Sequence, residues 1–196
     1  ATELYALLES PTSPWAGWQV TIDRRDDPCD VDKHRVAQRS ATNGEAVDFK
    51  DATRTKVFDL LHRALRLRLR MGWSTSTLLA VMQALEVDAK QPAFDMVAVS
   101  RLVALAQRME VTPELLAERM VALRETEDDP QSAAARSARS QWLVLLRLTE
   151  DAHADLTALG MPNSLAPIAP ISGAERLARL EQAVRELEVL SESGID

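Results

Sequence analysis

Apolar residues recur along most of this chain at intervals of three and four, the spacing of helices with one buried face. Residues 1–46 break that pattern. They offer a short helix around Glu3 to Leu8, then Ser10-Pro11-Thr12-Ser13-Pro14, then Trp18-Gln19-Val20-Thr21-Ile22, whose alternation supports one short strand. From about Val47 to Met71 a long helix is predicted. Val57, Phe58, Leu61, Ala64, Leu65 and Leu69 fall on one side at 100° per residue, with Lys56, Asp59, Arg63, Arg66 and Arg70 opposite. Gly72 ends it, and Ser74 caps a second helix that runs to about Leu85, with Trp73 placed to pack on Leu78 as a staple.

Residues 95–109 carry polar side chains only at Asp95, Ser100, Arg101, Gln107 and Arg108. So little wettable surface places this helix in the middle of the fold. Thr112-Pro113-Glu114 supplies an N-cap, a first-turn proline and an acid, and starts a helix reaching about Glu125. Thr126-Glu127-Asp128-Asp129-Pro130 is polar and closed by proline, which marks it as the boundary. Beyond it Ala138, Trp142, Leu145, Thr149, Ala152, Leu156 and Leu159 alternate spacings of four and three. Leu177, Leu180, Val184 and Leu187 do the same after a Pro-rich connection from Gly160 to Ile171. Ser172-Gly173-Ala174-Glu175 reads as a capping box, with Glu175 to Arg179 and Glu181 to Arg185 as i,i+4 pairs.

These elements define an all-α fold: a multi-helix bundle with an irregular N-terminal segment and a C-terminal antiparallel helical hairpin. Residues 1–128 form a helical domain, and residues 131–196 form the hairpin, packed on the first part or used for dimerisation. No repeat of fixed period occurs.

Composition narrows the function. The 196 residues include a single cysteine, Cys29, which has no internal disulfide partner, so a reducing compartment, the cytoplasm, is expected. No run approaches the roughly 20 apolar residues of a bilayer span, and the first residues lack the order of a secretory signal, so neither a membrane nor a secreted protein is expected. The net charge of −7 is uneven: residues 51–73 carry six basic against two acidic side chains, and residues 74–130 five against ten. A local basic helix can still meet phosphates in an acidic protein.

Catalytic and metal sets fail on spacing. Asp59-x-x-His62 and Glu150-x-x-His153 match the acid-x-x-His spacing of di-iron bundles, yet helical angles turn both carboxylates away from the core. Asp23, Asp26, Asp27, Asp30 and Asp32 lack a calcium-loop spacing and read as an exposed acidic loop, with an aspartate capping a helix near Val31. Cys29 with His34 has nothing to fix a nucleophile and base together. Six glycines form no phosphate loop and no G-x-S-x-G elbow. The expectation is a non-catalytic protein of bacterial or phage type, with no cofactor and no metal.

The stretch from Ala64 to Gln83 carries the sharpest signal. Leu67, Met71, Trp73, Leu78 and Val81 stand where a helix-turn-helix keeps apolar side chains, and Arg68 to Val81 resembles such units in bacterial repressors over about a tenth of the chain. The resemblance implies DNA binding and transcription regulation. Arg63, Arg66 and Arg70 would meet phosphates, while Ser74, Thr75, Ser76, Thr77 and Gln83 would face base edges. Arg68 departs from the pattern, since it stands near the apolar face, where it would snorkel or pair with an acid of residues 74–130. A weaker match from Leu102 to Met120 would set Glu114 and Glu118 against DNA. The alternative is an acidic adaptor, inhibitor or immunity-type module that meets a basic protein and no nucleic acid. A homodimer would use Trp142, Leu145, Leu177, Leu180, Val184 and Leu187.

Overall fold

The computed structural model describes residues 2–16, 20–23, 29–30, 35–39, 43, 46–47, 51–87, 95–124, 133–145 and 172–192. They are largely helical, and the chain divides into two compact units, Ala1–Asp95 and Met96–Asp196. The sequence places the division at 128–131, because the polar run there is the strongest local linker signal. The contacts place it after Asp95.

In the first unit, α1 (Thr2–Glu9) buries Leu7 and Leu8 and packs on β1 (Val20–Asp23) and on α3 (Thr75–Ala84). Val20 and Ile22 are buried while Thr21 between them is half-buried, the alternation expected of a strand with one covered face. Two further strands, β2 (Arg35–Arg39) and β3 (Ala46–Val47), complete an antiparallel sheet in the order β1-β2-β3, with Val20 opposite Gln38 and Arg39 opposite Ala46. The long helix α2 runs Asp51–Met71, and Val47, read as its start, is in the sheet. Its buried stripe is Val57, Leu60, Leu61, Ala64 and Leu67. That stripe is rotated by roughly 70° from the predicted face, at 100° per residue. The α2 surface that meets α3 brings Leu60 and Leu67 inward. Phe58 and Leu69, predicted inside, are exposed, Leu69 by 73%.

In the second unit, α4 (Met96–Arg108) packs on α5 (Pro113–Arg124) and on α7 (Gly173–Glu192), while α6 (Ala133–Leu145) packs on α5. α4 is not covered all round as its composition suggests. Ala98, Val99, Leu102, Leu105 and Ala106 are buried, whereas Met96, Val97 and Ala104 are exposed. Arg101 pairs with Glu181 through three hydrogen bonds to the carboxylate, two from Nε and one from Nη2, and Arg108 pairs with Glu188. Both partners advance by seven residues, so α4 and α7 run parallel. Glu181 is thereby engaged by Arg101 rather than by Arg185, whose Nε donates to the Glu181 carbonyl at 3.2 Å. The described parts of the predicted hairpin thus pack chiefly on α5 and α4. Thr149, Ala152, Leu156, Leu159 and the Glu150/His153 pair lie outside the described residues.

Cap chemistry sets the helix ends. Thr112 Oγ1 accepts from the Leu115 N–H at 3.2 Å. At α7 the box closes both ways: the Glu175 N–H donates to Ser172 Oγ at 3.3 Å, and the Ser172 N–H donates to Glu175 Oε2 at 2.9 Å. Those bonds, from the Ser172 backbone N–H and then its hydroxyl, hold the Glu175 carboxyl below the ordinary carboxylate range. Three helices end on a residue with positive φ: Gly72 at 65°, Glu86 at 53° and Glu110 at 56°. Only the first is glycine. A Cβ on Gly72 would meet nothing within 4 Å, so Gly72→Ala is expected to cost about 1 kcal/mol, the left-handed penalty less the entropy lost by the unfolded chain. Glu110→Gly should stabilise by about 0.5 kcal/mol on the same balance. Thermal unfolding checks both, and equal signs for the two variants would contradict the account.

Candidate nucleic-acid interface

The joint between α2 and α3 forms as its residues dictate. Gly72 takes the left-handed conformation, its N–H bonds the Leu69 carbonyl at 3.4 Å, and the Trp73 N–H bonds the Arg68 carbonyl at 3.0 Å. Ser74 follows as the N-cap in extended conformation, with φ −70° and ψ 166°, and its Oγ accepts from the Thr77 N–H at 3.0 Å. The turn between the helices is short, and the Gly72 and Trp73 N–H groups are both bonded back to α2.

Arg63, Arg66 and Arg70 are all exposed. They share one face of α2, and the seven steps from Arg63 to Arg70 span about 10 Å at 1.5 Å per residue. Lys56 extends the same face. Arg63 Nε meets Asp59 Oδ2 at 2.9 Å, a pair in which both side chains remain half in water, so it contributes little and opens readily. Asp59 is thereby spent on its own helix. Its neighbour His62 is exposed as well, and no group able to hold a metal ion occurs among the described residues. Of the acidic loop, Asp26, Asp27 and Asp32 lie outside the described residues, as do Val31 and His34. Cys29 is exposed.

The second helix is less available than its sequence implies. Six of the ten α3 residues are buried: Thr77, Leu78, Leu79, Val81, Met82 and Ala84. Thr77 is inside, with its hydroxyl 2.8 Å from Ser74 Oγ. Ser74 is exposed but committed to the cap, and Ser76 Oγ lies 2.7 Å from it. Thr75 and Gln83 are half-buried. α3 therefore offers a narrow uncharged edge, and the charge comes from α2.

Arg68 has the structural role that its position near the apolar face suggested, with a different partner. It pairs with Glu3 of α1, not with an acid of residues 74–130, and its side chain keeps only 13% of its exposure. Its Nε is buried without a hydrogen-bond partner among the described residues, which marks it as an anchor of α1 on α2 and not as a phosphate contact.

The dimer residues fall inside the second unit. Trp142, Leu177, Leu180 and Val184 are buried, and Leu145 and Leu187 are half-buried. Most of that surface is covered within the chain. No helix among the described residues is long and apolar enough to cross a membrane. No protein family, curated protein or solved structure matches the chain.

Proposed function

We propose that this chain is a non-catalytic DNA-binding protein of the cytoplasm, a regulator in which the α2–α3 unit meets the duplex. Arg63, Arg66 and Arg70 contact successive phosphates, and the edge formed by Thr75, Ser76 and Gln83 touches the groove. The observation that carries the reading is the exposure of all three arginines on one face of a helix whose opposite face is anchored in the core. Because α3 is mostly buried and uncharged, phosphate contact dominates, so sequence preference is modest and salt dependence strong.

The test is duplex binding by wild type and by R63A/R66A/R70A across a salt series. The wild type should bind with a steep dependence on salt. In the variant the slope of log K against log salt should fall in magnitude by about 2.7, at 0.9 per phosphate contact. Three exposed substitutions should leave folding within about 0.5 kcal/mol per site, so the comparison isolates binding. Unchanged affinity and slope would remove the proposal, and capture of a basic protein in place of nucleic acid would replace it with the adaptor reading.

A further inference from the structure

The turn after α4, the adjoining face of α5 and the last turns of α6 together border an open cleft of about 450 Å³. Clefts of roughly 300–1,000 Å³ with apolar walls and a few fixed polar groups are the usual form of small-molecule sites. Here the walls are Met109, Val111 and Leu115 on one side and Val144 and Leu145 on the other. Val144 is 74% exposed, and it stands off the stripe of Ala138 and Trp142 that fixes α6 to its unit. Packing among the described residues therefore does not explain its apolar side chain.

The basic group in the lining is Arg119, which is half-buried. Its Nη1 donates to the side-chain carbonyl of Gln141, and no carboxylate among the described residues pairs with it. A guanidinium carries five N–H donors in a planar fork suited to a carboxylate, so a single amide oxygen leaves most of that capacity unused. The residue is also held in place. Trp142 Nε1 donates to the Arg119 backbone carbonyl at 3.0 Å, which ties α5 to α6 at the base of the charge. Glu110, the acid in the lining, is exposed and hence screened by water, while the half-buried Arg119 acts through less solvent.

We propose that this cleft binds small amphiphilic carboxylates, with an apolar body against Val111, Leu115 and Val144 and the carboxylate on Arg119. The site belongs to the second unit and is independent of the DNA reading.

Titration of the full chain with octanoate and with octanol, followed by backbone amide shifts, tests it. Octanoate should bind about tenfold more tightly than octanol, the margin of a charge-assisted hydrogen bond. The shifts should centre on residues 109–119 and 140–145. Arg119→Gln should bring octanoate down to the affinity of octanol without changing the latter. Arg119→Lys should retain most of the preference for the acid, which a purely structural arginine would not. Val144→Asp should abolish both probes with an unchanged melting temperature, since that side chain has little packing to lose. Octanoate bound no more tightly than octanol, equal weakening of both probes by Arg119→Gln, shifts centred elsewhere, or no binding of either probe would each overturn the assignment.

Discussion

Trp142→Ala is expected to destabilise the protein by about 3–5 kcal/mol, the range for removing a buried aromatic side chain from a packed site. Trp142 has no exposed surface and is among the largest fully buried side chains. Ala138 is the other residue of α6 described as buried, so the indole is the main apolar anchor of that helix on α5 among the described residues. Its Nε1 donates to the Arg119 carbonyl at 3.0 Å, and truncation leaves that acceptor unpaired as well as opening a cavity. Against a typical total stability of about 5–15 kcal/mol, such a loss is a large share. Trp142→Phe separates the two terms. It keeps most of the volume and loses the donor, so a cost of about 1–2 kcal/mol is expected. Denaturant unfolding followed by far-UV dichroism reads both, and a loss under about 1 kcal/mol for Trp142→Ala would contradict the burial described.

What was legible in the sequence was mostly local. Gly72, Ser74, Thr112 and Ser172 act within four residues of themselves, through the left-handed bend or a side-chain oxygen on the first-turn N–H groups, and all four do so here. The exposure of Arg63, Arg66 and Arg70 follows from helical period in the same way. The spacing of Leu177, Leu180 and Val184 likewise marks a stripe that is buried. It does not specify the neighbour. The parallel pairing of α7 with α4 rests on Arg101 with Glu181 and Arg108 with Glu188, partners eighty residues apart in sequence, and periodicity holds no record of such separations. For the same reason the break after Asp95 was hidden behind the more polar run at 126–130. β2 was hidden because Arg35, Gln38 and Arg39 give it no apolar alternation, and Arg39 Nε instead donates to Thr21 Oγ1 at 3.1 Å across the pair. Glu86 and Glu110 end helices where glycine is expected, so those bends carried no composition signal.

The candidate sites divide along the same line. Arginines on the wet side of α2 could be read from angles alone. The burial of α3 could not, because Ser74 to Thr77 looks as polar in a core-packed helix as in a free one, and only the packing of α1 and α2 on α3 distinguishes them. The cleft at Arg119 was missed altogether. Its one sequence signal is Val144, an apolar residue two places beyond Trp142 and therefore off the stripe.

Trp15→Ala should match Trp142→Ala in size, at about 3–5 kcal/mol, yet the phenylalanine variants of the two positions should differ. Trp15 also has no exposed surface. It stands at the end of a turn closed by the Ser13 N–H on the Ser10 carbonyl at 3.0 Å and by its own N–H on Ser13 Oγ at 3.0 Å, and its carbonyl accepts from the Val20 N–H at 3.1 Å. Backbone bonds thus place the ring, and a smaller aromatic keeps them all. Its indole N–H reaches the Val57 carbonyl of α2 at 3.5 Å, the outer limit of a useful bond, against 3.0 Å for Trp142. Trp15→Phe should therefore cost about 1 kcal/mol less than Trp142→Phe, roughly the net worth of one good hydrogen bond. If the two cost the same, volume alone decides both positions, and the bond from Trp142 to Arg119 contributes nothing to holding α6 on α5.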